Sequence, residues 1–573
     1  MENKEFFRIL YQIADILEIQ NENVFRIRSY RKAGQTLESL TFNIYKISRE
    51  NPDAIRQLPG IGSTIFSFIM EICETGRCSE HQRLLAQVPL SLLEMSRLPG
   101  VGPKKVALFR DHGINSLSEL AEAAAQQKLR HLPGIGEKTE SRILKAAQER
   151  QQTSGQFRIH EALAVAEQLI QYMKEGSNFA QISTAGSLRR WKDAVADVDL
   201  LVAGEDPNPV MARFAEFPAA DRILARGETK SSIALNSGMQ VDLRILPQSS
   251  FGAALQYFTG SKEHNVVLRE RAKRLGYKVS EYGVFRITDE TLVAGAQEEE
   301  VYRLLGLQFI PPELRENRGE IEAAQAGLLP LLIEESDIRG DLHLHTVASD
   351  GKNTVQEMAA AAQRLGYQYI AITDHSPSLA ITNGLSEDRL LRHIEEIRNW
   401  QAASDFPVRV LAGAEVDILA DGLLDYPDSL LEQLDIVIAS VHSRFGMTVN
   451  EMTHRICRAL ENPHVDILAH PTGRLLLRRN PYAVDIDSVF ETALRCRVAL
   501  ELNSDVARLD LNDVHCQKAK KMGVPIVISS DAHHAKMLGA LRFGVQTARR
   551  GWLESSDVLN TRALPDLLEF FRK

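Results

Sequence analysis

From Ile338 to the carboxyl terminus, short apolar runs alternate with amphipathic stretches, and most runs lead directly into a histidine or a carboxylate. The runs include residues 370–373, 408–412, 436–440, 467–469, 498–502 and 526–529. Strands of this length separated by helices predict a parallel sheet, and about seven repeats predict a closed barrel. In such barrels the chemistry sits just beyond the carboxyl ends of the strands. His343-Leu344-His345 places two imidazoles on one face of a strand end, and Asp350, His375, Glu415, His442, His470, Asp531 and His533 follow along the chain. Nine nitrogen and oxygen ligands with no cysteine suit Zn2+, Mn2+ or Fe2+, and nine are too many for one ion and about right for three. A single histidine here would read as a satisfied core residue. The whole array reads as a metal centre. His393, His454, His464, His515 and His534 fall outside it and read as surface residues.

The front of the chain has a different signature. Leu58-Pro59-Gly60-Ile61-Gly62 recurs as Leu98-Pro99-Gly100-Val101-Gly102 and as Leu132-Pro133-Gly134-Ile135-Gly136, at spacings of 40 and 34 residues. A turn of this form joins two short helices and leaves backbone N–H groups facing outward, where a phosphate oxygen is favoured. Lys104 and Lys105 follow the second turn and Lys138 the third. One copy would be no more than a tight turn using glycine for its conformational freedom. Three copies resemble helix-hairpin-helix DNA-binding motifs, with Gly60, Gly62, Gly100, Gly102, Gly134 and Gly136 at the contact. The net charge of −9 carries no global sign of a nucleic-acid partner, but residues 1–150 hold 21 Lys+Arg against 18 Asp+Glu. Residues 337–573 hold 26 against 32, and 11 of the 16 histidines. Contact through the sugar-phosphate backbone predicts binding without sequence preference.

Between these two regions the pattern is α+β. Gly186-Ser187-Leu188-Arg189-Arg190 precedes Asp197-Val198-Asp199-Leu200, and Asp242 lies in a later strand-like run. Aspartates at i and i+2 on a strand share a face. Paired carboxylates suit two Mg2+ ions in the clamp used for in-line phosphoryl displacement. The glycine-serine turn suits a phosphate chain. Taken alone, Asp-x-Asp is a weak signal; with its neighbours it resembles a nucleotidyltransferase palm.

Tyr257-Phe258-Thr259-Gly260-Ser261, followed by Asn265 and Arg269, resembles the thumb of family X DNA polymerases. The resemblance covers roughly residues 1–315 and includes NVFRIRSYRKA from Asn23 to Ala33. It implies that Asp197, Asp199 and Asp242 are catalytic ligands of Mg2+ or Mn2+. Gly186, Ser187 and Arg190 would hold the incoming triphosphate, Tyr257, Phe258 and Gly260 the sugar, and Asn265 and Arg269 the nascent base pair. Trp191 and Ala196 depart from the family pattern, where glycine is usual. The array from Arg339-Gly340-Asp341-Leu342-His343 to Asp531-Ala532-His533 resembles the polymerase-and-histidinol-phosphatase domain.

The joint order resembles that of bacterial family X polymerases. It implies a helical, lyase-like domain at 1–88, fingers with two helix-hairpin-helix motifs at 89–152, and a nucleotidyltransferase palm at 153–247. A thumb at 248–314, a helical linker at 315–336 and a distorted (β/α)7 barrel at 337–573 complete it. The implied function is short-gap repair synthesis on gapped or nicked duplex DNA from deoxynucleoside triphosphates. The barrel would act as a 3′–5′ exonuclease, with abasic-site endonuclease activity also attributed to such domains. Animal members carry a Schiff-base lysine eight residues beyond the first hairpin glycine; the matching position here is Phe68, and no lysine lies between Lys46 and Lys104.

No window approaches the ~18 apolar residues of a membrane span. The start, MENKEFFRIL, lacks a secretory pattern. Five scattered cysteines make no disulfide framework. These features predict a cytoplasmic compartment; the chain is separately expected to act as a monomer. Two rival readings are a small-molecule phosphatase joined to an idle polymerase and a noncatalytic DNA-binding scaffold. The intact carboxylate set, the complete histidine array and the three hairpins weigh against both.

Overall fold

The computed structural model describes residues 3–572 apart from 39, 41–43, 86, 89, 97, 99, 154, 380 and 381. Pro99 of the second glycine turn is thus outside the described residues. The chain divides into two compact units, residues 1–154 and 155–573.

The first unit is helical. In each glycine turn the branched residue between the glycines is buried: Ile61, Val101 and Ile135 are all under 8% exposed. With that inward anchor the flanking glycines Gly62, Gly100, Gly102, Gly134 and Gly136 are exposed, while Gly60 is half-buried against Lys32. Gly60, Gly100 and Gly134 have φ of 81°, 79° and 76°, a region that favours glycine. Gly62 and Gly102 are extended N-caps of α1 (Ser63–Thr75) and α2 (Pro103–Asp111), and Gly136 precedes α3 (Glu137–Thr153). A single apolar core runs through the unit, including Leu10, Ile13, Ile69, Phe109, Leu120 and Ile143.

The second unit begins with the palm. Its sheet has strands β1 (Gln181–Thr184), β2 (Asp197–Ala203), β3 (Ala220–Arg226), β4 (Lys230–Leu235) and β5 (Gln240–Leu246), in the order β1-β2-β5-β4-β3. Strands β2 and β5 are parallel, with Asp199 opposite Asp242 in register. Helices Ile159–Gly176 and Pro207–Ala215 pack on the sheet through Ala162, Leu169, Val210 and Phe214. The thumb follows with α4 (Phe251–Thr259) and α5 (Lys262–Arg274). Gly260 (φ 71°) joins them, and the Ser261 hydroxyl caps α5 by accepting from the His264 N–H at 3.2 Å.

Seven parallel strands then form in sequential order: β6 (Gly340–Leu344), β7 (Tyr369–Ile372), β8 (Arg409–Asp417), β9 (Ile436–Ser440), β10 (Ile467–Leu468), β11 (Ala499–Asn503) and β12 (Ile526–Ser529). A parallel bridge from Leu344 to Ala532 nearly closes the ring. One cluster takes a residue from every strand, among them Leu342, Tyr369, Leu411, Ile438, Ile467, Ala499 and Val527. It is the barrel interior, and Leu567 and Phe571 of the last helix pack into it. Helix α6 (Leu541–Arg550) lies outside β11 and β12.

The segment read as a helical linker has one α-helix, Glu320–Ala326, and is packed into the thumb rather than solvated along its length. Its charges find buried partners. Fully buried Arg315 pairs with Glu298 at 2.5 Å, and Glu320 pairs with Nδ1 of His264 at 2.7 Å.

Candidate active sites

All nine predicted barrel residues come together beyond the carboxyl ends of the strands. His345, Asp350, His375 and His533 offer ligand atoms within 4.8 Å of one another, as do His343, His345 and Glu415, and His375, Glu415 and His442. Glu415 is the hub. Its Oε2 is 2.9 Å from Nδ1 of His375, and its Oε1 is 3.1 Å from Nε2 of His470. Asp531 joins through Nε2 of His345 at 3.2 Å.

A second layer orients these rings. Glu501 meets Nδ1 of His343 at 2.7 Å, and Asp417 meets Nδ1 of His442 at 3.1 Å. Asp374 accepts from Ser349 and from the Thr346 hydroxyl and N–H. It also lies 3.0 Å from Nε2 of His393, so His393 is buried at 8% exposure and is not the surface residue its sequence suggested. A helical position with a buried carboxylate as partner leaves no periodicity by which to find it.

The donor set fits divalent cations. Among the described residues, Nε2 of His343, both ring nitrogens of His345 and Nδ1 of His470 are buried without a hydrogen-bond partner. Polar atoms so placed cost free energy unless something binds them. Burial and the neighbouring His533 and His375 push His345 down to about 4, which keeps it a neutral lone-pair donor. Burial also works against the charged form of His533, but Asp350 and Asp531 outweigh it and raise the group to about 9.

In the palm, Gly186 begins a one-turn helix through Arg189 and stands against Asp199. A Cβ there would lie 2.3 Å from Oδ2 of Asp199. Burial, helped by Asp197 and Asp242, raises Asp199 to about 6. Asp197 is raised in the same way, by burial and by Asp242, whereas Asp242, against burial, is held below its ordinary value by Lys230, Gln240 and Ser232, so this carboxylate group calls for cations. One is already present in the protein, since Nζ of Lys230 lies 2.6 Å from Oδ2 of Asp242. Ser187 is half-buried one residue beyond Gly186.

Arg189 donates to Thr259 Oγ1 at 2.7 Å and to Glu298 at 2.8 and 2.9 Å, locking the turn to the thumb. Arg190 donates to the Thr259 carbonyl at 2.5 Å and to Glu316 at 3.0 Å. Tyr257 and Phe258 meet edge to face at 5.1 Å, and Arg244 covers the Phe258 ring at 4.4 Å. Both ends of the Asn265 amide are used internally, donating to the Tyr257 carbonyl at 2.7 Å and accepting from Gln256 at 2.8 Å. Arg269, one turn on, is exposed.

Among the described residues of the helical unit, no atom other than those of chain neighbours lies within 4 Å of a Cβ built on Gly62, Gly100, Gly102, Gly134 or Gly136, so these turns are open to an approaching group. Lys104 and Lys138 are exposed. Lys105 instead donates to the Gly100 carbonyl at 2.6 Å.

Four family models match this chain. They are a helix-hairpin-helix domain over residues 1–78, a SAM-like helix-hairpin-helix tandem over 92–149, a DNA polymerase beta thumb over 254–316 and a PHP domain over 341–503. The DNA polymerase/3′-5′ exonuclease PolX of Bacillus subtilis is 40% identical over the full length of both chains. The chain belongs to the family X DNA polymerases. Proteins from Acetivibrio thermocellus and Syntrophotalea carbinolica, each named "Probable phosphatase", are 37% and 29% identical. They span only 34% and 40% of this chain, and 78% and 94% of their own length.

Within this family X chain, sequence reasoning missed Glu501, Asp417, Lys230 and Glu316. Glu501 had a signal, since it is a lone charge in an otherwise apolar strand run. Trp191, which departs from the family's usual glycine, holds φ at 55° and lies against Phe543 of the barrel unit's α6, with ring centroids 6.2 Å apart.

Proposed function

We propose that this chain is a repair enzyme with two active sites, filling short gaps in duplex DNA and processing 3′ ends. The observation that carries it is the pairing, on one chain, of a carboxylate trio behind a Gly-Ser turn, with Asp199 opposite Asp242, and a barrel mouth at which nine histidine and carboxylate side chains gather. In the palm, Asp197, Asp199 and Asp242 hold Mg2+ or Mn2+, and in the barrel His343, His345, Asp350, His375, Glu415, His442, His470, Asp531 and His533 hold three ions of Zn2+, Mn2+ or Fe2+. Bound divalent ions lower the pKa of an attacking hydroxyl or water and neutralise charge on the phosphoryl oxygens.

The protein's own groups do the rest. Ser187 and the N–H groups of the Gly186 turn receive the triphosphate, and Arg190 neutralises the leaving pyrophosphate. Tyr257 and Phe258 wall the sugar, and Gly260 leaves room for it. Arg269 faces the minor-groove edge of the new pair, and Asn265, whose oxygen is taken by Gln256 and one N–H by the Tyr257 carbonyl, has its second N–H left for it. In the barrel, Glu501 and Asp417 fix the tautomers of His343 and His442 so that each ring presents its Nε2 lone pair. The hairpins grip the backbone on nicked or gapped DNA. The chain works as a cytoplasmic monomer on DNA and deoxynucleoside triphosphates.

The barrel resembles proteins named phosphatases, but here it shares a chain with three phosphate-gripping hairpins, which favours DNA ends over a small ester. The test is a duplex with a one-nucleotide gap, assayed with Mg2+ and Mn2+, with and without nucleotides. Addition of one nucleotide when they are present, and shortening from the 3′ end when they are absent, is the expected result. Release of phosphate from histidinol phosphate with no nucleotide addition or removal would overturn it.

A further inference from the structure

Helix α6 of the barrel reaches the nucleotide turn of the palm at both of its ends. Near its start, Phe543 is 6% exposed and belongs to the palm's own apolar core, with Ile159, Leu188 and Val195. Its ring meets Trp191 and also His160, the latter at 6.4 Å and 84°. Trp191 is the residue after Arg190 and occupies a backbone region that favours glycine, so its indole is held there by what it packs against.

At the last residue of α6 the link is ionic. Arg550, 5% exposed, donates from Nη1 to the Arg190 carbonyl at 2.5 Å and to Glu316 Oε1 at 3.0 Å. Its Nη2 donates to Asp513 at 2.8 Å. The same Oε1 of Glu316 accepts from Nε of Arg190 at 3.0 Å. Nη1 of Arg190 is held by the Thr259 carbonyl, and a side chain on Gly260 would crowd it at 3.2 Å. The guanidinium is therefore fixed through two of its three nitrogens. Among the described residues, its Nη2 has no hydrogen bond.

We propose that Glu316 and Arg550 are positioning residues for nucleotide addition: the barrel's α6 clamps Arg190 so that its free Nη2 is preset for the triphosphate. This rests on the reading of Arg190 as a triphosphate-binding residue. An arginine fixed before binding loses less freedom when it meets its anion. A lone carboxylate beside Arg190 would cancel the charge that attracts the nucleotide. Glu316 does not, because Arg550 and Lys192 (3.8 Å) share it. Burial works against its ionised form, and the three cations outweigh burial and hold its carboxyl below the ordinary range. Arg318 lies 3.0 Å from Asp513, so the network also keeps a surplus of positive charge.

The full-length chain and its E316Q, R550M, R550K and R190A variants decide the matter on a one-nucleotide gap. KM and kcat for nucleotide addition are measured beside equilibrium binding of a non-hydrolysable nucleotide. Exonuclease rate on the same preparations reports on folding. E316Q and R550M should each raise KM and the nucleotide Kd about tenfold, with kcat within about twofold. The double variant should be no worse than either single one, because both act through one guanidinium. R550K, which keeps the charge but loses the fork, should recover part of the loss. Unchanged KM in E316Q and R550M while R190A raises it would overturn the proposal, as would a fall in KM or a loss confined to kcat. If R190A itself leaves KM and binding unchanged, the reading of Arg190 fails, and the proposal with it.

Discussion

Nδ1 of His343 lies 2.7 Å from Oε1 of Glu501, both side chains fully buried at the mouth of the barrel. A carboxylate only accepts, so Nδ1 carries a proton; Nε2 faces Glu415 and Asp531 at 3.4 and 3.7 Å, and against the pull of burial the surrounding carboxylates raise the metal-free imidazole well above its ordinary value, so a bound divalent ion would take the place of the Nε2 proton. Removing such a partner costs about 10–100-fold in metal affinity. Glu501→Gln should therefore lose barrel metal during dialysis against graded chelator while still filling gaps. Metal content equal to that of the unaltered chain would mean that Glu501 has no part in ligand orientation.

Asp199 gives the palm a pH dependence. Burial first, then Asp197 and Asp242, raises it to about 6, against the opposing pull of Arg244 and Lys230. A ligand must be ionised, so below pH about 6 a proton competes with the ion, and affinity should fall about tenfold per pH unit. The sign is reversed for the metal-free fold. With a raised folded pKa, the folded chain takes up a proton between about pH 6 and 4 that the unfolded chain does not, so its stability rises as pH falls through that window. Mn2+ titration of a variant lacking His343 and His345 isolates the palm. Affinity that stays level from about pH 7 to 5 would show that these carboxylates are not the ligands.

DNA affinity should fall steeply with salt, because a protein that grips the backbone displaces counterions. Lys104→Ala with Lys138→Ala should lower the slope of log K against log salt by about one unit for each phosphate no longer neutralised. Lys105→Ala should matter less, since its ammonium is bound to the Gly100 carbonyl. Sequence preference should not change in any of them. A slope unmoved by the Lys104 and Lys138 changes would exclude a phosphate grip by these hairpins.

Much of this architecture is legible in the sequence because it repeats. The strand runs at 436–440 and 526–529 coincide with β9 and β12, and the histidines and carboxylates gathered at the barrel mouth stand out because most follow an apolar run, where a charge is costly without a partner. The hairpins are legible because three copies share one steric need. What stays hidden depends on partners distant in the chain. His393 is buried only because Asp374 receives it, 19 residues away. Glu316 lies in a charged stretch that looks solvated, until Arg190 and Arg550 converge on it from 126 and 234 residues away. No local pattern encodes such meetings.

The helical domain should lack deoxyribose-phosphate lyase activity. Schiff-base chemistry needs an uncharged amine, and arginine stays protonated. At the matching position Phe68 is half-buried and stacks on Tyr30, with ring centroids 6.5 Å apart and planes 11° from parallel. Borohydride trapping on incised abasic DNA should give no covalent adduct. An adduct mapped within residues 1–88 would show that another amine performs the reaction.

The central claim is that the two activities belong to two separate sets of ligands, and a pair of double variants on the one-nucleotide gap tests it most directly. Asp197→Ala with Asp199→Ala should abolish nucleotide addition and leave 3′-end degradation intact, because every degradation ligand lies beyond residue 337. His343→Ala with His345→Ala should remove degradation and leave addition. If the folded palm variant also lost all degradation, or the barrel variant all addition, the two-site account would be wrong.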